Sequence, residues 1–252
     1  MPTVHELTDP YLGVFTAVPP VGAGICAVCH RPIRPQFATC RSCEITMGQV
    51  THSLTLVVPI SLYLGHQQLH HVLRGYKDPS VYRLTDRQRS LFEARVAAAV
   101  ARFLGAHEPH INGAAGDSAL ADALVPVPSG KGRLGDPPIY KALRRVPGVR
   151  DRLRVALAPD QPIKHLKARD DGFRVIDSGL VGKKVVIVDD TFTSGAAVQS
   201  ATSALTLAGV DVAAAVVVGR YVEISEEYEP SGDWWIDHRR TTPFSFATCA
   251  VE

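Results

Sequence analysis

Apolar positions in this chain alternate between short unbroken runs and longer stretches with a helical period. SLTLVVPISLYL at 53–64 is apolar and β-branched and predicts one or two strands. ALVPV at 123–127, VVIV at 185–188 and the run from Val210 to Val218 predict further buried strands. Gly65 ends the first run, and HQQLHHVLRGYK after it has helical spacing. Thr85 and Gln88 make a capping-box pattern followed by one broad apolar stripe from Leu91 to Leu104, which predicts a long helix ended by a Gly- and Pro-containing loop at 105–118. Residues 136–157 predict helix interrupted at Pro147, RVIDSGLVGKK predicts an edge strand and a turn, and Val198 to Ala208 predict a helix stopped by Gly209. Strands separated by helical patterns imply an α/β protein with a mainly parallel sheet, whose ligands sit at the carboxyl ends of its strands.

The most specific local pattern is VVIVDDTFTSGAAV at 185–198. A buried strand runs into Asp189 and Asp190, then into a short loop, Thr191, Phe192, Thr193, Ser194 and Gly195, and then into a helix. A Gly-containing loop at a helix N-terminus offers free backbone N–H groups and the positive end of the helix dipole, which suits a phosphate. Two carboxylates beside such a loop repel phosphate but accept hydrogen bonds from the hydroxyls of a sugar joined to it. Phosphate on one side and a diol on the other describes a ribose 5-phosphate; the plain alternative is a strand–turn–helix with Asp at the strand end.

VVIVDDTFTSG resembles the phosphoribosyl pyrophosphate (PRPP) signature of type I phosphoribosyltransferases, with Ser194 where that family often has a second Thr. A second pattern, Cys26-Ala-Val-Cys29 and Cys40-Arg-Ser-Cys43, has the spacing of two knuckles around one structural Zn²⁺; disulfide and redox roles are the alternatives. The start MPTVHELTDP has neither the basic opening nor the apolar core of a signal peptide, and no stretch has the length of a membrane span, so a cytoplasmic protein is expected, with no membrane partner. Cys249 stands apart and reads as a small buried side chain.

A four-Cys knuckle joined to a PRPP-type domain resembles the ComF family, which is associated with competence for DNA uptake. VVPISLYLG with HHVLRGYKD, LVPVPS, and HLKARDDGFRV resemble further segments of that family, over about residues 24–218. In the last of these, Asp170 and Asp171 stand where the family usually carries Asn. The resemblance implies a type I phosphoribosyltransferase fold over 51–220, a zinc ribbon or knuckle over 23–50, a tail over 1–22 and a C-terminal extension over 221–252. It implies that Asp189 and Asp190 hold the ribose hydroxyls and that Thr191 to Gly195 bind the 5-phosphate. It further implies that Ser129, Gly130 and Lys131 bind pyrophosphate with Mg²⁺, and that Arg169 closes over the leaving group. Two activities remain open: transfer of ribose 5-phosphate from PRPP to a nitrogenous acceptor, or an accessory role binding single-stranded DNA or a competence helicase with little or no turnover.

Charge bears on that choice. The chain carries a net +2, but residues 131–169 hold eleven Lys or Arg against three Asp, a window of +8 with −6 elsewhere. Such a window suits a pyrophosphate or a nucleic-acid backbone, or is a solvated helical surface. SGKG at 129–132 is not an ATP-binding loop, because the first Gly and the Ser or Thr after Lys are missing. His66 and His70 are helix-spaced without a third ligand, and Tyr63 and Tyr76 read as core or rim aromatics rather than catalytic groups. Trp234 and Trp235 could stack a base, but an anchoring role in packing is the favoured reading.

Overall fold

The strand runs pair in parallel, and side-chain alternation decides what each face of the sheet covers. In a computed structural model, described over residues 2–78, 81–116, 119–129, 135–224 and 232–251, four strands lie in the order β1-β6-β5-β2. They are β1 (Val57–Tyr63), β2 (Ala123–Pro126), β5 (Lys184–Phe192) and β6 (Asp211–Tyr221), and every pairing between them is parallel. Val185 to Val188 of β5 are fully buried, as expected of a central strand covered on both faces.

Val186 and Val188 face a core built with α3 (Gln68–Gly75), α4 (Asp86–Ala114) and α5 (Pro138–Leu143). Val185 and Ile187 face the opposite core, which contains α7 (Ala196–Leu207), Phe173 of a small antiparallel arm, and the four clustered cysteines. That arm pairs β3 (Leu157–Pro159) with β4 (Phe173–Val175). The cysteine segment, with its short helix α2 (Arg41–Met47), therefore packs directly on the sheet rather than standing off as a separate lobe.

Chain direction places a crevice at one point of the sheet. After β2 the chain enters α5 on one face; after β5 it enters α7 on the other. Adjacent parallel strands whose connections leave to opposite faces leave an opening outside their carboxyl ends.

Three segments differ from the sequence expectations. The helix α4 continues past 105 to Ala114, through Pro109, because its far end is anchored: Ile111 is fully buried, and the carboxylate of Glu108 receives both guanidinium nitrogens of Arg152 at 2.6 Å. Pro147 does not interrupt a helix but opens a short one, α6 (Pro147–Arg150), where a missing N–H costs nothing. Residues 2–22, expected as a tail, pack on the domain. The helix α1 (Val4–Thr8) lies on α4, Arg102 ties Thr8 and Asp9, and Thr16 bridges to Leu62 of β1.

The C-terminal helix α8 (Gly232–Thr241) buries Trp235 against Leu62 and Val222, and Phe244 and Phe246 pack on Phe15. The tryptophans thus take the packing role. No described helix is long and apolar enough to cross a membrane.

Candidate functional site

Asp189 and Asp190 end the apolar part of β5 and lie on the wall of a cavity of about 350 Å³, at the crevice between β2 and β5. Val127, Pro128 and Ser129 from the end of β2 form the facing wall, and Ala197 brings in the first turn of α7. Gly130 and Lys131 lie outside the described residues.

The two acids have different surroundings. Asp190 is buried, forms an ion pair with Lys77 at 2.5 Å, and accepts a hydrogen bond from the Tyr76 hydroxyl. Lys77 also donates to Thr191 Oγ1 at 3.3 Å. Burial, and then the Asp190 carboxylate, push the Tyr76 phenol well above its usual range. Asp189 is half-buried and accepts from the Asp190 backbone N–H at 2.8 Å. Burial and the Asp190 charge push its pKa up to about 8, against the pull of Lys77. At neutral pH Asp189 therefore holds its proton most of the time, beside a carboxylate fixed by a lysine.

That shift has a checkable consequence. A carboxyl group whose folded pKa lies above its unfolded value of about 4 contributes stability that is complete below pH ~4 and is lost as pH rises through about 8. The Asp189→Asn variant is expected to gain thermal stability relative to wild type as pH rises from 5 to 8, with the difference levelling above that. Parallel melting curves across this range would show that Asp189 titrates normally.

The loop after β5 has a defined backbone polarity. The carbonyls of Phe192 and Thr193 accept from the Arg220 guanidinium at 3.2 and 2.7 Å, and the Ser194 carbonyl accepts from Thr46 Oγ1 of α2 at 3.3 Å. In a planar trans peptide the C=O and the next N–H point in opposite directions. The amides of Thr193, Ser194 and Gly195 are thus turned away from Arg220 and α2, and they donate to no acceptor among the described residues. Gly195 has φ +87°, which lets the chain turn into α7 there.

Side chains of the loop are placed less uniformly than the sequence implies. Thr191 is half-buried at the cavity and Thr193 is exposed. Phe192 turns inward and is buried under Arg220, so only its backbone faces the loop. Ser194 Oγ accepts from Leu166 N at 3.2 Å and caps Ala196 N at 3.5 Å, which fixes the neighbouring segment to the loop.

Arg169 is not brought to the cavity. Its guanidinium pairs with Asp171, and its amide donates to Ser200 Oγ of α7 at 2.9 Å. The unusual Asp170 holds the fold together locally. It accepts from Thr51 N and Oγ1 at 2.8 and 2.7 Å and from Ser203 Oγ at 2.5 Å, tying this segment to α7 and to the end of the cysteine module.

The four cysteines are all buried, unbridged, and have sulfurs within 4.8 Å of one another. Cys29 and Cys40 Sγ are 3.7 Å apart, far beyond a disulfide and close to the edge of about 3.8 Å expected for four thiolates each about 2.3 Å from one ion. The Cys40 amide donates to Cys26 Sγ at 3.2 Å, and His30, just after the first pair, takes a positive φ that closes the knuckle. The donor set and spacing fit a tetrahedral divalent ion such as zinc.

Sequence reasoning missed two groups. Tyr76 and Lys77 read as a core aromatic and a helix-end residue, although a polar cluster directly after a buried helix is a signal. Arg220 is fully buried, and its one clue is a lone charge in the apolar run AAAVVVGRY. Five arginines of the basic window are ion-paired: Arg144, Arg145, Arg150, Arg152 and Arg169 pair with Asp136, Glu93, Asp151, Glu108 and Asp171.

The chain matches no protein-family model and no curated protein sequence.

Proposed function

We propose that this chain is a phosphoribosyltransferase-like protein of the type I fold that binds PRPP and transfers ribose 5-phosphate to a nitrogenous acceptor. The observation that carries the reading is the loop at Thr193 to Gly195: three amides with no acceptor among the described residues, at the N-terminus of a twelve-residue helix, directly after the acid pair that lines a cavity. The amides and the helix dipole suit the 5-phosphate, and Asp189 and Asp190 suit the vicinal hydroxyls.

In that reaction the C1–O bond to pyrophosphate breaks, a C1–N bond forms, and the acceptor's proton is released to solvent. The residues of this chain fix the phosphate and diol so that C1 faces the acceptor. Lys77, bridging Asp190 and Thr191, keeps Asp190 in place, and Ser129, which lines the same cavity, would bind the leaving pyrophosphate. Mg²⁺ bound with PRPP would supply charge neutralisation on pyrophosphate. The cysteine cluster, read as structural zinc, supports the loop from behind. The accessory reading, with single-stranded DNA or a helicase as partner, is the alternative; the ion pairs of five arginines in the basic window weaken one of its supports.

The test is calorimetric titration of the zinc-loaded chain with PRPP and with ribose 5-phosphate in the presence of Mg²⁺, together with isotope exchange between pyrophosphate and PRPP. Both ligands are expected to bind. Charge-assisted hydrogen bonds of about 1.5–3 kcal/mol predict a loss of at least about tenfold in Asp190→Asn. Exchange of label identifies turnover; binding without exchange points to the accessory role. Absence of binding by either ligand, with salt-sensitive binding of single-stranded DNA instead, overturns the proposal.

A further inference from the structure

Arg220 occupies an unusual position for a charged side chain. It is the last inward residue of β6, about 1 % exposed, and lies between two features that the sequence separates widely. One edge of its guanidinium meets the cysteine cluster: Nε donates to Cys29 Sγ at 3.1 Å, and Nη2 lies 4.0 Å from Cys40 Sγ. The other edge meets the loop after β5, where Nη1 donates to the carbonyls of Phe192, Thr193 and Tyr221. Phe192 lies under the cation, with its ring centre 5.1 Å from the guanidinium carbon. From α2, Thr46 adds the next carbonyl, that of Ser194. Three consecutive loop carbonyls are therefore held from the cluster side.

A cation buried this deeply is costly unless anions and acceptors surround it. Four thiolates around a divalent ion carry a net charge of −2, so a metal-loaded cluster provides a fixed anion beside Arg220. Loss of the metal leaves the four sulfurs with no ion to hold them in place beside the guanidinium. The guanidinium then has no fixed counter-charge on one edge, and the carbonyls on its other edge lose a rigid partner. Because each peptide unit is planar, freeing the Phe192 and Thr193 carbonyls also frees the amides of Thr193 and Ser194 to rotate.

We infer that Arg220 is a positioning residue that links the cysteine metal cluster to the Thr193–Gly195 loop, so that metal occupancy sets the loop's readiness to bind a phosphate. The phosphate part of this inference rests on the function proposed above; the link between cluster and loop does not. Linkage makes the effect reciprocal: a phosphate ligand that binds the metal-held loop more tightly must also raise the affinity for the metal by the same factor.

The experiment is amide hydrogen exchange on the full chain, zinc-loaded and after chelation, in wild type, Arg220→Lys and Arg220→Met, with the affinity for ribose 5-phosphate measured in parallel. In zinc-loaded Arg220→Met, exchange at Leu166 and Gln199, whose amides donate to Ser194 Oγ and to the Gly195 carbonyl of the loop, is expected to be at least tenfold faster, while the amides of Val186 to Val188 keep their protection and zinc content stays at one per chain. Chelation of wild type is expected to give the same local pattern, and Arg220→Lys is expected to recover part of the protection. Ribose 5-phosphate affinity is expected to fall at least tenfold in Arg220→Met, and the ligand is expected to raise the chelator concentration that removes half of the zinc at equilibrium. If wild type binds no ribose 5-phosphate but the local exchange pattern appears, the link stands and the phosphate reading fails. Unchanged exchange at Leu166 and Gln199 in zinc-loaded Arg220→Met overturns the link. Loss of protection throughout the sheet in both variants also overturns it, since Arg220 would then support the whole fold rather than join two places.

Discussion

Replacing Cys29 by serine is expected to remove the metal and lower the melting temperature of the whole chain by about 10 °C. The expectation follows from where the cluster lies. Cys26, Cys29, Cys40 and Cys43 belong to the same core as Val185, Ile187 and Val217 of the central strands, so disturbing them disturbs one face of the sheet. Four ligands close a tetrahedral site, and a hydroxyl in place of one thiolate weakens it severely. Metal binding in such a site is folding free energy, since no preformed site exists in the unfolded chain.

Arg220 adds to the cost. Cys29 is its nearest sulfur partner, and burial opposes its charge, which the Cys29, Cys40 and Cys43 thiolates otherwise sustain. Breaking a buried charge pair by removing one partner costs about 3–5 kcal/mol. For a chain of this size each kcal/mol corresponds to about 2–4 °C, which gives the expected shift. Cys249→Ser, outside the cluster, serves as the control and is expected to change the melting temperature by no more than about 2 °C. Scanning calorimetry with metal analysis decides the matter; a zinc-free Cys29→Ser chain that melts with wild type would mean that the cluster is ornamental to the fold.

The cluster and the strand–acid–loop–helix pattern were legible because each is local. Cysteine spacing restricts geometry over eighteen residues, and the change from unbroken apolar run to helical period marks the end of β5. What the sequence hid is long-range. Tyr76 reaches Asp190 across 114 residues, and Arg220 reaches Cys29 across 191. No periodicity reports such pairs. Pro109 and nearby glycines signalled a loop, but the buried ends of Glu108 and Ile111 outweighed local propensity and kept the helix intact. The basic window shows the same limit in another form: counting charges along the chain gives a net sign, whereas the field outside depends on which charges pair across elements. Arg145 pairs with Glu93 of α4, and Arg152 with Glu108, neither of which lies in the window.

The loop itself supplies the second large effect. Gly195→Val is expected to destabilise the chain by roughly 2–6 kcal/mol and to remove ribose 5-phosphate binding. Two costs add. Gly195 sits at φ +87°, where a β-branched residue is strained by about 1–3 kcal/mol. A Cβ there would also lie 2.5 Å from Cζ of Phe192. That ring is buried and capped by the Arg220 guanidinium, so it has little room to move, and overpacking of this kind costs about 1–3 kcal/mol. Any relief must come from rotating the loop, which turns the amides of Thr193 and Ser194 out of line with α7. Gly182, also at positive φ but with open space around its Cβ position, isolates the backbone part: Gly182→Val is expected to cost only the strain and to leave ligand affinity unchanged. If Gly195→Val instead binds ribose 5-phosphate as tightly as wild type, the phosphate is not held by these amides, and the cavity at the acid pair must take its ligand in another way.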